Sequence, residues 1–288
     1  LEDRFFNGRF TIADDNIDFS FLGELDFRDS IPTFDFDASV GELDLYRLNL
    51  SKKPIALSGN IDLNLTGTDF SEMEGRVALD SFEVKVDTVV IAIDSLLAYS
   101  NFNQAGQKVV KLESDIAQAE LIGRFDLDEV TSSLIGFLVE YYPKWASRLN
   151  ITPPRRLPAP NRFSFDLNIL DSRGLNRLTT PQLGALVDVN LRGSYDGFVD
   201  SIDLEFTAPN LYFEDFQFTD CILKASSDRG EGGLDFAVGS TISDKRPILN
   251  KVTLLSLIDN DLIDFGITYG GDKDNILLEK IELDGELN

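Results

Sequence analysis

The sequence contains no histidine, and it has one cysteine, one methionine and one tryptophan in 288 residues. Ser–His and Cys–His catalysis both require an imidazole, so the sequence excludes them. Zinc sites built on histidine or on paired cysteines are excluded for the same reason. Cys221 has no second cysteine with which to form an internal disulfide. We predict that it is a small buried apolar side chain.

Long hydrophobic runs are also missing. The chain has no stretch of about 18 apolar residues, which is the length that a membrane-spanning helix requires. The start of the chain has no basic and apolar leader. The chain begins at Leu1 and stops at Asn288 within an apolar alternation. We therefore expect it to be a piece of a longer protein, with any anchor or targeting signal outside it.

Positive charge is scarce, with 26 basic residues against 50 acidic ones and a net charge of −24. Such a chain is repelled by nucleic-acid phosphates, so we expect no nucleic-acid partner. A sugar-cleaving carboxylate pair is disfavoured, because sugar clefts usually use stacked Trp and Tyr and the chain has one Trp. The segment 270–275 lacks the spaced ligands and closing Glu of a calcium loop. We predict no enzyme activity, no cofactor and no metal.

Apolar and polar residues alternate along most of the chain. The clearest segments are 17–27, 34–40, 55–66, 163–169 and 202–206. Because successive side chains of a strand point to opposite faces, each segment has one apolar and one polar face. Antiparallel sheets show this pattern, whereas parallel sheets buried on both faces do not. Short Asp, Asn, Gly and Ser clusters predict turns between the strands, so we predict a mainly all-β chain that forms a long antiparallel meander.

Two segments depart from this alternation. Apolar residues at helical spacing predict a helix over 128–142, with Asp128 as its N-cap and Pro143 as its stop. Thr180 and Pro181 predict a second short helix over 181–186.

A proline-rich stretch interrupts the pattern between these two helices. Four of the ten prolines lie in the segment 151–160, which we predict to be an extended linker or an interruption of the sheet. It divides the chain into a β-part at 1–150, which ends in the first helix, and a continuing β-part at 161–288.

The apolar face is rich in phenylalanine, of which the chain has 22. One interpretation is the ordinary core of a closed sandwich. The other is a sheet that curls into an open, taco-like trough, whose apolar interior holds acyl chains. The polar outer face, rich in Asp, would keep such a trough in solution.

Four segments resemble the TamB family in the form found in Bacteroidota. They are the alternation over 5–12 followed by 16–19, the segment 57–67, the strand 121–127 with the helix that ends at 141–143, and the segment 161–166 after the linker. The resemblance extends over most of the chain, and the order of its elements is more specific than any one of these segments.

The resemblance implies a periplasmic protein among the AsmA-like, bridge-like lipid-transfer proteins, with an inner-membrane anchor outside this chain. It implies phospholipid transport between the inner and outer membranes, support of outer-membrane biogenesis, and an outer-membrane barrel of the BamA type as partner. It carries no catalytic residues. The predicted lining of the lipid groove follows from the alternation: Phe19, Phe21, Phe34, Phe36, Ile61, Leu63, Phe82, Val84, Ile91, Phe125, Phe163, Phe165, Phe206 and Phe236.

The same sequence pattern is also consistent with other functions. The chain could be a scaffold for outer-membrane β-barrel assembly or secretion that conducts no lipid, with sheet edges that template incoming strands. It could also be an adhesin or carbohydrate-binding sandwich with a closed core. The helix over 128–142 could cover exposed apolar surface, or it could plug or gate the trough.

Overall fold

The computed structural model describes residues 4–14, 16–69, 72–87, 89–154, 160–173, 183–243, 246–259, 262–270 and 281–287. These ranges contain sixteen β-strands and two α-helices. Their bounds are β1 Phe5–Asp14, β2 Ile17–Asp26, β3 Thr33–Asp44, β4 Ile55–Thr66, β5 Glu74–Val86, β6 Val89–Phe102, β7 Lys108–Ser114, β8 Ala117–Arg124, α1 Leu127–Tyr141, α2 Pro143–Arg148, β9 Arg162–Asp171, β10 Val187–Asp196, β11 Ser201–Phe213, β12 Phe216–Asp228, β13 Glu231–Ser243, β14 Arg246–Asp259, β15 Leu262–Gly270 and β16 Ile281–Leu287.

The strands form one open antiparallel sheet in which the spatial order follows the chain from β1 to β16. The predicted all-β meander is therefore confirmed.

The chain divides into two compact units, Leu1–Glu120 and Leu121–Asn288, called unit 1 and unit 2 below. The division precedes α1, and the proline-rich segment 151–160 lies within unit 2, with residues 155–159 outside the described ranges.

The strand register places like residues opposite each other. Phe10 pairs with Phe21 across β1 and β2, and Phe21 pairs with Ala38 across β2 and β3. Directly opposed residues of an antiparallel pair point to the same face. The apolar half of each strand therefore joins the apolar half of its neighbours.

A β-bulge in unit 1 keeps the apolar residues of β5 on one face although their numbering changes from odd to even. Leu79 faces Ile61, and Val84 faces Leu57 after a register shift between Ser58 and Asn60. An extra residue on one strand produces such a shift. Without it, the two ends of β5 would present their apolar residues to opposite faces.

Gly59 lies at this bulge with a φ of +133°. A Cβ atom at this position would lie 2.6 Å from the Cα of Phe82. The site therefore requires glycine both for its backbone conformation and for the close approach of β5.

The helix boundaries correct one expectation and confirm another. The N-cap of α1 is Asp126 rather than Asp128, and the Asp126 carboxylate accepts a hydrogen bond from the Asp128 backbone N–H at 3.0 Å. Asp128 instead lies in the first turn, where its charge favours the helix dipole. Pro143 does end α1, but it also opens α2 at its first position, where a proline loses no hydrogen bond.

The predicted helix over 181–186 is wrong for its described part, residues 183–186; residues 181 and 182 lie outside the described ranges. Leu183 forms a β-bridge with Phe213, and the Gly184 N–H donates to the Tyr212 carbonyl at 2.9 Å. Leu186 accepts a hydrogen bond from the Ser172 N–H at 2.8 Å. Strand-like pairing thus satisfies backbone groups that a helix would have satisfied internally.

We predict opposite effects for two glycine substitutions. Gly59→Ala should lower the free energy of unfolding by more than about 1 kcal/mol, because the new Cβ meets β5 in a conformation that alanine avoids. Gly136→Ala, within α1 and with no atom within 4 Å of its Cβ, should raise it by roughly 0.5–1 kcal/mol. Urea unfolding followed by circular dichroism measures both. A Gly59→Ala protein as stable as the wild type would contradict the prediction.

Candidate functional site

Unit 1 carries a continuous apolar row that crosses six strands. Each residue is directly paired with the next across the strand boundary. The unit 1 row consists of Phe10, Phe21, Ala38, Ile61, Leu79 and Leu96. At about 4.8 Å between strands the row extends about 24 Å, perpendicular to the strands.

An aromatic cluster occupies the β1 end of this row. The rings of Phe10 and Phe21 are stacked with centroids 5.1 Å apart, and Phe21 and Phe36 are 4.8 Å apart. Phe6 lies 5.7 Å from Phe21, and Phe19 lies 5.6 Å from Phe10. These contacts leave Phe21 only 4% exposed while Phe10 at the edge strand remains 40% exposed. Rings on one sheet face thus shield one another without a second layer of the same unit.

Unit 1 has no helix within residues 4–14, 16–69, 72–87 and 89–120, which the structure describes. Its apolar face is formed by one sheet layer, and most of its side chains are half-buried rather than buried. An ordinary two-layer core would bury such a face against another element of the same unit.

Unit 2 carries a second continuous apolar row, and this one crosses seven strands from β9 to β15. All of its members are half-buried. The unit 2 row consists of Leu167, Leu191, Phe206, Leu223, Phe236, Leu254 and Ile267. It extends about 29 Å at the same strand spacing.

Helix α1 covers a different part of the same face. Phe137 of α1 packs against Phe163 and Tyr195, and all three are buried. Phe125, which precedes the helix, lies 6.0 Å from Phe163. Helix α1 therefore acts as a cover for the part of the unit 2 sheet that β9 and β10 form.

Hydroxyl groups tie the C-terminal end of α1 to the turn before β11 and to β12. The Tyr141 hydroxyl donates to the Asp200 carboxylate at 2.9 Å, and the hydroxyls of Tyr142 and Ser227 lie 2.5 Å apart. Burial, with a smaller contribution from the Asp200 hydrogen bond, raises the pKa of Tyr141 to about 12. The helix is thus held by specific polar contacts as well as by its apolar side.

A buried hydrogen-bond chain fixes the other end of α1. Asn161, only 2% exposed, donates to the Ser133 hydroxyl at 2.7 Å and accepts from the Asp126 N–H at 2.8 Å. It connects the helix start, the helix interior and the chain entering β9. These buried polar groups are mutually satisfied, which makes the helix position well defined.

A second buried cluster lies farther along the strands of unit 2. Val189, Ala208, Cys221 and Val238 are its buried members, and Leu186 packs against them. Cys221 is 1% exposed, and burial raises the pKa of its thiol. The predicted buried apolar role of Cys221 is confirmed, because a protonated, buried thiol behaves as a small hydrophobe.

The predicted groove residues all lie on the apolar side of their strands or directly beside it. In unit 1 the nine predicted residues, from Phe19 to Ile91, are buried or half-buried. In unit 2, Phe206 and Phe236 belong to the unit 2 row, and Phe165 pairs with Gly193 next to it. Phe125 and Phe163 instead lie beneath α1, so they contribute to a covered core rather than to an open groove.

The predicted lining omitted several residues of this face, among them most members of the two rows, Phe6, Phe10 and Lys108. Phe6 and Phe10 carry the same alternation as the predicted residues, so the pattern over 6–12 could have identified them. Lys108 is 2% exposed, and its ammonium donates to the Met73 carbonyl at 3.2 Å and lies 5.5 Å above the Phe102 ring. Lysine is almost never buried unless it is paired, so no sequence signal indicated it.

The opposite face of unit 2 carries a ladder of alternating charges. Its directly paired residues are Asp166, Arg192, Glu205, Lys224 and Asp235. Arg192 donates to the Glu205 carboxylate at 2.8 Å, which lowers the pKa of Glu205. A hollow of about 640 Å³ lies over these residues. Opposed charges of this kind favour the strand register and keep the face hydrated.

No helix in the described ranges is long and apolar enough to cross a membrane. The described residues likewise contain no group of three or more Asp, Glu or Cys side chains that could hold a metal ion.

Comparison of the chain with protein-family models, with curated proteins and with solved structures gave no significant match in any of the three.

The Tyr141 contact leads to a pH-dependent prediction. An unfolded tyrosine titrates near pH 10, whereas Tyr141 titrates at about 12 in the folded protein. The folded state retains a proton that the unfolded state loses, so this contribution to stability is complete below pH 10 and is lost as the pH rises through 12.

Tyr141→Phe should lower the free energy of unfolding by about 1 kcal/mol at pH 8. This difference from the wild type should shrink between pH 10 and pH 12. Urea unfolding at several pH values measures it, with Tyr46→Phe as a control because Tyr46 is 53% exposed. A deficit that is unchanged at pH 11.5 would refute the assignment.

Proposed function

We propose that the chain is a segment of a periplasm-spanning protein that carries phospholipids between the inner and outer membranes along an apolar β-groove. The observation that carries this proposal is the pair of continuous apolar rows. Each crosses at least six strands, and neither ends in a charged residue within the described strands. A path for an acyl chain requires such continuity.

The energetics favour this use of the rows. A 16-carbon chain exposed to water costs on the order of 12 kcal/mol at about 0.8 kcal/mol per methylene. A half-buried apolar row can lower that cost at each step without trapping the chain, because the side chains already shield one another. A closed core would leave no room for the chain.

The charge of the polar face also supports this proposal. The charge ladder and the net charge of −24 keep that face in water, so the sheet can expose one apolar face and remain in solution. The charge thus belongs largely to the outer face of the proposed trough.

The location and the partner depend on the resemblance to the TamB family. We infer a periplasmic position, an anchor in the inner membrane outside this chain, an outer-membrane barrel of the BamA type as partner, and a role in outer-membrane biogenesis. The segment binds acyl chains and carries out no reaction, so it uses no cofactor.

Two pairs of neighbouring residues test the groove. Leu223 belongs to the unit 2 row, and Ile222, 41% exposed, points to the opposite face. Phe10 and Leu22, 40% and 47% exposed, form the equivalent pair in unit 1. We expect Leu223→Asp and Phe10→Asp each to reduce co-purifying phospholipid at least several-fold, because an aspartate in the row puts a charge in the path of the acyl chain.

Lipid extraction and mass spectrometry of the purified protein measure this loss, and circular dichroism verifies folding. Ile222→Asp and Leu22→Asp, which place the same charge on the polar face, should retain wild-type lipid. Equal lipid in all four variants would contradict the proposal. A wild-type protein without lipid that crosslinks to nascent outer-membrane strands would instead support the scaffold alternative.

A further inference from the structure

A cavity of about 470 Å³ lies in unit 2 between the two helices and strands β11 to β14. Its helical wall includes Leu138, Trp145 and Leu149, and its sheet wall includes Leu204, Ala225 and Leu234. Apolar side chains form nearly all of this lining. The volume is within the range of about 300–1,000 Å³ that is typical of small-molecule sites.

Two polar groups at the wall are paired with each other. Tyr142 and Ser227 both line the cavity, and their hydroxyls are 2.5 Å apart. No buried side-chain nitrogen or oxygen among the described residues lacks a partner. A water molecule needs two to four polar partners, so this cavity is a poor site for water and a good one for an apolar group.

The size fits one acyl chain. A methylene group occupies about the volume of a water molecule in liquid, about 30 Å³, so the cavity holds on the order of 15 methylenes. The rim is accessible, since Leu138 is 38% exposed and Leu149 is 66% exposed. A chain can therefore enter while its headgroup remains in solvent.

The cavity also adjoins the unit 2 row. Leu204, Ala225 and Leu234 of the cavity wall lie two residues along their strands from Phe206, Leu223 and Phe236 of the row. A chain on the row needs to shift by only one row of side chains to reach the cavity.

We propose that this cavity is a binding site for a single acyl chain of a membrane lipid, with α1 and α2 as its cover. The inference deepens the proposed function, on which the choice of ligand rests. In this proposal the helices help to bind the acyl chain, because an acyl chain in the cavity contacts protein on two sides. An acyl chain on one of the rows contacts protein on one side only.

The single tryptophan provides a direct readout. Trp145 lines the cavity and is the only tryptophan in the chain. Stearic acid with a spin label at carbon 16 quenches tryptophan fluorescence at short range. We expect it to quench Trp145 saturably, and a phosphatidylcholine with the same labelled chain shows whether a phospholipid chain enters as a free fatty acid does. Quenching no greater than that by the free nitroxide at equal concentration would overturn the inference.

Two variants locate the quenching. Ala225→Phe fills the cavity from the sheet side and Leu138→Glu places a charge at its exposed rim; each should weaken the apparent affinity for the labelled chain at least tenfold. Ala92→Phe, on an exposed position of β6 in unit 1, is the matched control and should bind as the wild type does. Because Leu138 is partly exposed, Leu138→Glu tests the site even if Ala225→Phe fails to fold. Unchanged quenching in a folded cavity variant would overturn the inference.

The two proposals fail separately. Phe10→Asp lies in unit 1 and should leave the quenching of Trp145 unchanged. One outcome is that the amount of co-purifying phospholipid depends on Phe10 and Leu223 while Trp145 is not quenched. That outcome would refute the cavity site and support the groove. Saturable quenching with lipid content independent of both residues would retain the site and refute the groove.

Discussion

The direct pairing of consecutive strands is the constraint on which the rest of the structure depends. In an antiparallel meander each strand fixes the register of the next strand by hydrogen bonding. The observed register brings apolar residues opposite each other on one face. Phe21, for example, faces Phe10 on one side and Ala38 on the other. A slip of one residue at any boundary would move the apolar side chains of all later strands to the polar face. The glycines and bulges of unit 1 are therefore part of the same constraint, because they correct the phase where the sequence changes from odd to even.

Most of the strand pattern could be predicted from the sequence because alternation is a local property. The segment 17–27 shows its two faces without any knowledge of its neighbours. The 181–186 segment could not be predicted in the same way, because Thr180 and Pro181 are good local signals for a helix start. Its described part is held by Phe213, Tyr212 and Ser172, which are far from it in sequence. Tertiary pairing outweighed local preference there.

At the candidate site, too, local alternation could be predicted from the sequence and tertiary contacts could not. The parity of Phe206 and Phe236 predicted the apolar face on which they lie, but parity does not indicate what lies above that face. Phe163 has the same alternation as Phe165, yet α1 covers Phe163 and leaves it 5% exposed. The cover depends on Asn161 and Tyr141, whose partners Ser133 and Asp200 lie 28 and 59 residues away. Such long-range pairs carry no periodic signal, so the sequence could not distinguish an open groove from a covered one.

The partial cover is compatible with the proposed lipid conduction for a physical reason. A groove that bound an acyl chain with its full transfer free energy along its whole length would hold the chain and not release it. The half-buried rows avoid this, because Leu223 and Phe236 already contact their neighbours and gain only part of the burial that a ligand could give. The enclosed space beneath α1 and α2 offers more burial at one place. In the proposed groove, weak sites and one stronger site would allow a lipid to pause without closing the path. The hydroxyl contacts at Asp200 and Ser227 help to hold the helical cover in place.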